Sequence, residues 1–241
     1  MTKHTPTEAI ILAGGLGTRL RTVVSDVPKP MAPVRGRPFL EYLMDYWIEQ
    51  GIQRFILSVG YLAEIIESHF GHWYHGCNID YVPEKTPLGT GGGLRQVLLK
   101  THWQNPQVIL ANGDTWYEVN LPQLVTDAMF AKKPVTIALK PMQRNDRYGG
   151  VGVDGHGHIT QFGLKASTRC LVNGGYYLLD TEAVTGQLRN FPDKFSLEQD
   201  FLAAMVKGGN VAASIQDVTF LDIGIPEDYA LVPRILKKKR T

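Results

Sequence analysis

The chain has 241 residues and a formal net charge of +2 at neutral pH. That is enough length for one large α/β domain or two small ones, and it lacks the basic excess of a nucleic-acid groove or an anionic-membrane binder. No window approaches the roughly 18 consecutive apolar residues of a membrane span, and the opening "MTKHTPTEAIILAGG" is too briefly apolar for a secretory signal. Two cysteines, Cys77 and Cys170, lie far apart with no CxxC or Cys/His spacing. The expectation is a cytoplasmic protein with free thiols and neither nucleic acid nor membrane as partner.

In chain order, "AIIL" (9–12), "RFILSV" (54–59), "QVILA" (107–111) and "VTIAL" (135–139) read as buried strands. "FLEYLMDYWIEQG" (39–51) carries apolar residues at helical spacing and ends in a glycine stop; "LAEIIESHFG" (62–71) and "LPQLVTDAMFA" (121–131) look alike. Such alternation points to an α/β fold, a mixed but mostly parallel sheet flanked by helices. The second half changes character. "RYGGVGVDGHGHITQF" (147–162) reads as a hairpin around "DGHG", and "LVNGGYYLLD" (171–180) as a strand. A helix over 196–209, a β segment over 211–224 and a closing helix over 226–236 with proline in its first turn complete the order. The tail "KKKRT" (237–241) reads as a frayed, solvated end. With no repeat or linker, residues 1–241 are expected to form one domain, a nucleotide half over about 1–140 and a substrate half over about 141–241.

The first strand runs into "AGGLGTR", which fits neither the dinucleotide pattern GxGxxG, because Leu20 takes its last glycine position, nor the P-loop. Glycines alone permit a sharp strand-to-helix turn. Gly14, Gly15 and Gly17, however, also remove the Cβ atoms that would keep an anion from successive backbone N–H groups. Thr18 adds a hydroxyl, and Arg19 a planar fork suited to phosphate. "DVPKPMAPV" then brackets Lys29 between two prolines, which reduce the freedom of the segment that carries the ammonium. Asp114 and Asp222 each follow an apolar run, where ligands gather at the ends of sheet strands in open α/β folds. Either aspartate alone is equally a turn or capping residue.

"LAGGLGTRL" followed by "PKPMAPV" resembles the signature of the sugar-1-phosphate nucleotidylyltransferases. The resemblance continues in family order through "PLGTGGGL", "NGD", "YGGV", "NGGYYLL" and "DIGIPEDY". Within the family, the wording around "GTRL…DVPKPMAPV" is most similar to the bacterial D-glycero-α-D-manno-heptose 1-phosphate guanylyltransferases. The resemblance implies a Rossmann-like nucleotidyltransferase fold with a small β subregion for the sugar. It also implies attack of a sugar-1-phosphate oxygen on the α-phosphorus of a nucleoside triphosphate with release of pyrophosphate. GTP and a sugar 1-phosphate would be the partners and Mg²⁺ the cofactor, bound by Asp114 and Asp222 as a hard cation suits. Arg19 and Lys29 are implied as the catalytic cations, on pyrophosphate and on the α- and sugar phosphates. Leu12, Ala13, Gly14, Gly15, Gly17 and Thr18 would hold the nucleotide with them, and Glu84, Gly89 and Thr90 would face its base. One carboxylate at Glu84 could accept both N1–H and the N2 amino group of guanine, whereas uracil or thymine offers only N3–H.

On the sugar side the resemblance implies Asn112, Gly149, Asn173 and Gly174, with Lys165 on the sugar phosphate. Here the chain departs from the family. The usual "EKP" is "LKA" (164–166), so an acid that commonly contacts sugar hydroxyls is replaced by Leu164. Glu198 is a substitute contact or a helix-start acid. His69, His72 and His75 read as helix-end and loop residues, better placed for a subunit contact than for metal, and Trp47 and Trp73 as packing residues. Three rivals stand beside the guanylyltransferase reading. One is a mannose-1-phosphate guanylyltransferase or a uridylyltransferase. Another is a silent regulatory subunit, which would be expected to lack one of Arg19, Lys29, Asp114 and Asp222. The last is a glycosyltransferase, whose Asp-x-Asp signature the chain lacks.

Overall fold

The structure, a computed structural model, describes residues 5–15, 20, 26–143, 148–165 and 169–236. In chain order the first half comprises β1 (Glu8–Leu12), β2 (Pro33–Val34), β3 (Arg37–Pro38), α1 (Phe39–Glu49), β4 (Arg54–Val59), α2 (Ala63–Phe70), β5 (Trp73–Tyr74), β6 (Cys77–Pro83), α3 (Gly89–Lys100), β7 (Gln107–Asn112), β8 (Thr115–Tyr117) and α4 (Leu121–Ala131). The second comprises β9 (Val135–Gln143), β10 (Gly150–Val153), β11 (Ile159–Leu164), β12 (Arg169–Asp180), α5 (Thr181–Leu188), a π-helix (Leu197–Leu202), α6 (Ala203–Lys207), β13 (Val211–Ile215), β14 (Phe220–Asp222) and α7 (Pro226–Ile235).

The centre of the main sheet is β6–β4–β1–β7, all parallel. Beyond it β12 runs antiparallel to β7 and to β9, which restores the first direction, and β13 lies parallel to β9. The sheet is therefore mixed and mostly parallel, as the strand–helix alternation predicts. Period-two side chains explain why its strands are apolar throughout. Ala9 and Ile11 of β1, Phe55 and Leu57 of β4, and Ile109 and Ala111 of β7 enter one core. Ile10, Ile56, Val108 and Leu110 enter the other, on the opposite face. Helix α1 covers the first face with Phe39, Leu40, Leu43, Met44 and Trp47, all fully buried; α3 and α5 supply Leu94, Val97, Val184 and Leu188 to the second.

Past the parallel centre, the sheet is distorted. Across β12 and β9 the register runs from Asn173↔Leu139 to Tyr177↔Ile137, so two extra residues bulge out of β12. Across β10 and β11 it runs from Gly150↔Leu164 to Val151↔Phe162, leaving Gly163 unpaired at φ +75°. Bulges of this kind bend a strand and turn its side chains to a new face.

Two elements differ from expectation and a third, α3, is not anticipated. The helix anticipated over 196–209 begins as the π-helix and becomes α-helical only at Ala203. The β segment over 211–224 is two strands in different sheets: β13 extends the main sheet, while β14 pairs with β8 in a separate ribbon. "GTGGGL" opens α3, a helix that its glycine content hides. The glycines are there because the 193–195 segment and Glu84 crowd that helix turn: a Cβ at Gly91 would meet the Phe195 ring, and one at Gly93 would lie 2.8 Å from Glu84 Oε1. Trp47 packs in the core beside Tyr46 and Tyr176, but Trp73 is 65 % exposed on a two-residue edge strand and does not pack as expected. The histidines take separate partners, His69 with Glu41 and His72 with the carbonyl of Ile79. Cys77 is buried and Cys170 half-buried, each a free thiol. Among the described residues no helix is long and apolar enough to cross a membrane.

Candidate active site

A cavity of about 1090 Å³ opens at the C-terminal edge of β1 and β7 and reaches to β10–β12 and the π-helix. This is where an open α/β sheet places ligands. Leu12, Ala13, Gly14, Gly15, Lys29, Glu84, Gly89, Thr90, Asn112, Asp114, Gly149, Asn173, Gly174 and Asp222 all line it. Gly17, Thr18 and Arg19 lie outside the described residues.

At its centre Lys29 Nζ donates to Asp114 Oδ2 at 3.0 Å. Lys29 belongs to a short 3-10 turn, Lys29–Met31, whose following prolyl and methionyl side chains are buried, and its own side chain is only 12 % exposed. Asp114 follows β7 after one glycine, Gly113. Asp222 comes from more than a hundred residues away, brought in because β14 pairs with β8 in the register Asp222↔Thr115 and Leu221↔Trp116. Two tyrosine hydroxyls brace that ribbon, Tyr176 donating to the carbonyl of Thr115 at 2.8 Å and Tyr117 to that of Gln216 at 2.6 Å. The three charges meet above Gly224. A Cβ placed there would lie 2.6 Å from Lys29 Nζ, 2.7 Å from Asp222 Oδ1 and 3.5 Å from Asp114 Oδ2. The Gly224 N–H meanwhile donates to Asp222 Oδ1 at 2.8 Å and holds that carboxylate in place.

Glu84 stands at one end of the cavity, against Gly14. Its Oε1 accepts from Ser58 Oγ at 3.2 Å and its Oε2 from the Leu88 N–H at 3.1 Å. A Cβ at Gly14 would come within 2.7 Å of Oε1. Gly14 therefore serves two ends at once, exposing backbone to the cavity and letting the carboxylate of Glu84 pass beneath it. Gly89 has a different reason from the expected approach of a base: its φ is +75°, and a Cβ would sit 2.5 Å from the Phe195 carbonyl.

Lys165 does not join the others. It lines a second cavity, of about 740 Å³, with Leu164, Cys170 and Asp217. The Gly163 bulge accounts for Leu164, which pairs with Gly150 while Phe162 pairs with Val151 and so takes the opposite face from Phe162; Lys165 lies just past the end of β11. The end of the cavity bordered by β10–β12 and the π-helix instead contains Glu198, together with Tyr148, Phe162 and Tyr177. Tyr177 is fully buried, its hydroxyl accepts from Asn173 Nδ2 at 2.9 Å, and burial first, then the charge of Glu198, pushes its phenol well above the usual range. Tyr148 belongs to the "YGGV" motif and Glu198 is the substitute contact the sequence raised, whereas Phe162 carries no motif spacing; a buried-strand pattern with an interposed glycine is the one signal that marks it.

The described lining holds four carboxylates, Glu84, Asp114, Glu198 and Asp222, and one ammonium, Lys29. Such a site welcomes phosphate only with added positive charge. Two carboxylates meeting around a bound ammonium are the donor set a hard divalent cation takes, its remaining positions left to phosphate and water. Among the described residues no cluster of three or more His, Cys, Asp or Glu offers a self-sufficient metal cage.

A fold with parallel strands ending at a glycine-lined cavity, and an ammonium between two aspartates at its centre, is that of a nucleotide-transferring enzyme, and the model of the nucleotidyl transferase family matches residues 8–238. The chain belongs to that family. The D-glycero-alpha-D-manno-heptose 1-phosphate guanylyltransferases of Aneurinibacillus thermoaerophilus and Campylobacter jejuni are 43 % and 40 % identical to it. Each alignment covers 92 % of this chain, and 95 % and 96 % of the two relatives respectively. Crystal structures of HddC from Yersinia pseudotuberculosis, one of them complexed with GMP-PN, superpose with a TM-score of 0.83 at 34 % identity, over 96 % of this chain and all of that one.

Proposed function

We propose that the chain transfers a guanylyl group from GTP to D-glycero-α-D-manno-heptose 1-phosphate, giving GDP-heptose and pyrophosphate. The observation that carries this is the Lys29–Asp114–Asp222 convergence, placed between a nucleotide end and a β subregion in a chain 40–43 % identical to heptose 1-phosphate guanylyltransferases. A sugar-phosphate oxygen attacks the α-phosphorus as the bond to the bridging oxygen of the pyrophosphate breaks. The protein's work is to align two anions and to neutralise the charge that develops.

Lys29 carries the charge for catalysis: its ammonium, held beside Asp114, is the donor for the α- and sugar phosphates. Arg19 takes the departing pyrophosphate. Asp114 and Asp222 would hold Mg²⁺, which supplies charge neutralisation and orientation of phosphate oxygens. Glu84 reads guanine. Its two oxygens each hold one protein hydrogen bond and each keep a lone pair, enough for N1–H and the N2 amino group together. Gly149, Asn173 and Gly174 form the sugar wall. We read the two ends as halves of one catalytic unit, working in the cytoplasm to supply an activated heptose for bacterial surface polysaccharide.

The test is pyrophosphate release with GTP and Mg²⁺, using heptose 1-phosphate and, in parallel, mannose 1-phosphate. Release with the heptose at a kcat/KM at least about tenfold higher is expected, the discrimination that an extra contact in a shaped pocket provides. EDTA should stop it. Equal or better use of mannose would overturn the sugar, UTP outpacing GTP the base, and indifference to chelation the metal.

A further inference from the structure

The sugar end poses a problem of acceptors. A heptose presents a row of hydroxyl donors, and beyond the neutral amide oxygens of Asn112 and Asn173 a wall of backbone, tyrosine and phenylalanine gives them little to donate to. The acid that would meet them by resemblance is Leu164, and the Gly163 bulge turns that residue into the other cavity. Four carboxylates line the main cavity. Asp114 and Asp222 share one point with Lys29, and Glu84 lies under Gly14 at the nucleotide end with a partner on each oxygen. Glu198 remains.

Its geometry suits the task. Oε2 accepts from Thr90 Oγ1 at 3.0 Å and from Ser196 Oγ at 3.2 Å. Thr90 Oγ1 itself accepts from the Leu197 N–H at 2.9 Å, so its proton is committed to the carboxylate. Oε2 is thereby fixed to the start of α3, and Oε1, with no hydrogen-bond partner among the described residues, is the edge left for a ligand. The π-helix accounts for the placement. Glu198 and Ala203, five residues apart, both line the cavity, and an i to i+5 repeat brings such residues to one face where an α-helix would separate them. Beside Glu198 stands the Asn173–Tyr177 hydrogen bond, on the bulge of β12.

We infer that Glu198 is the specificity-determining acceptor for the hydroxyls of the sugar, taking over from a different element the part that Leu164 cannot play. This rests on the proposed sugar-phosphate acceptor. Only binding and orientation change; no bond is made or broken at Glu198.

The experiment compares wild type and Glu198→Gln, in steady state, with heptose 1-phosphate and with analogues each lacking one ring or side-chain hydroxyl. In the wild type, deleting the hydroxyl that Glu198 accepts should cost about 10- to 100-fold in kcat/KM, as a site built to bind a hydroxyl rejects its absence. Glu198→Gln should lose about tenfold or more on the parent sugar, mostly in KM, and little further on that one analogue, a coupling that a purely structural role does not produce. The KM for GTP should stay within about twofold of wild type, since interactions with one substrate alone are being removed. An unchanged sugar KM, or full additivity across the analogues, would overturn the inference. A rise in the GTP KM instead would place Glu198 on the nucleotide and overturn it as well. Failure of the underlying function looks different: wild-type enzyme silent with heptose 1-phosphate and GTP. Glu198→Asp gives a second variant with charge retained, expected to recover part of the loss.

Discussion

The two ends of the cavity are built by different means. At the phosphate end, charged groups hang from the ends of regular elements: Asp114 just past β7, Lys29 on a proline-bracketed turn, Asp222 on a ribbon paired residue for residue with β8. At the end proposed for the sugar, the lining comes from departures from regularity, the Gly163 bulge, the Asn173–Tyr177 bulge and the π-helix. A regular sheet holds charge in a place that every ligand of the class can use. Bulges and wide turns re-aim side chains one at a time, a means of altering the sugar pocket while leaving the phosphate end alone.

Breaking the phosphate end should have the largest effect. Asp222→Asn keeps the size and the Gly224 N–H acceptor but removes one of two negative charges beside Lys29. Turnover should fall by about 10³-fold or more, in line with the loss of a group acting on transition-state charge. Circular dichroism and melting temperature should match wild type. Activity within about tenfold of wild type, with the fold preserved, would remove Asp222 from the charge-handling centre.

This contrast also decides what the sequence could disclose. Asp114 and Asp222 were readable because each terminates an apolar run, and a strand end is a place that periodicity can locate. Gly14 and Gly15 were readable as a turn. Beneath that turn lies Glu84, and the need for Gly14 to clear its carboxylate depends on a contact across seventy residues that no local pattern carries. Leu164 is misread for a simpler reason: one residue inserted at Gly163 puts it on the face opposite Phe162, and period-two reading assumes none is inserted. Lys165 is implied by resemblance alone and lies just past the end of β11, where strand alternation does not set its direction. α3 is hidden by the low helix propensity of its glycines, offset by tertiary contact with the 193–195 segment. The division of 211–224 into β13 and β14 depends on partners, β9 and β8, that are far away in the chain.

Gly163→Ala sharpens the comparison. At φ +75° an added Cβ is strained by about 1 kcal/mol, although no atom lies close enough to collide with it. The strain favours a flatter β11, so the sugar KM should rise several-fold while the KM for GTP and the position of Lys29 are unaffected. Equal changes in both constants would mean that the two ends are mechanically coupled and do not vary independently. Glu84→Gln is a smaller change, replacing one acceptor oxygen with an amide. Selectivity for GTP over UTP should fall by about tenfold, the scale of one charged hydrogen bond, about 1.5 kcal/mol; an unchanged ratio of kcat/KM values would remove Glu84 from base reading.

The smallest expected effect lies at the far tip of the β subregion. Asp154 closes the β10–β11 hairpin by accepting the N–H groups of His156 and His158 at 2.8 and 2.9 Å. Those bonds hold its carboxyl below the usual carboxylate range, with the two histidines' charge a lesser contribution. A carboxyl depressed on folding stabilises the native state at pH values above the ordinary aspartate value of about 3.9 and loses that contribution as pH falls through the folded value. Asp154→Asn keeps an acceptor and removes the titration. Its melting temperature should therefore lie slightly below wild type at neutral pH, and the gap should close as the pH is lowered through the acid range. A gap that stayed constant with pH would mean that the hairpin is held by the shape of its turn rather than by the charge of Asp154. The pocket-facing bulge at Gly163 would then lie on a hairpin with no electrostatic anchor.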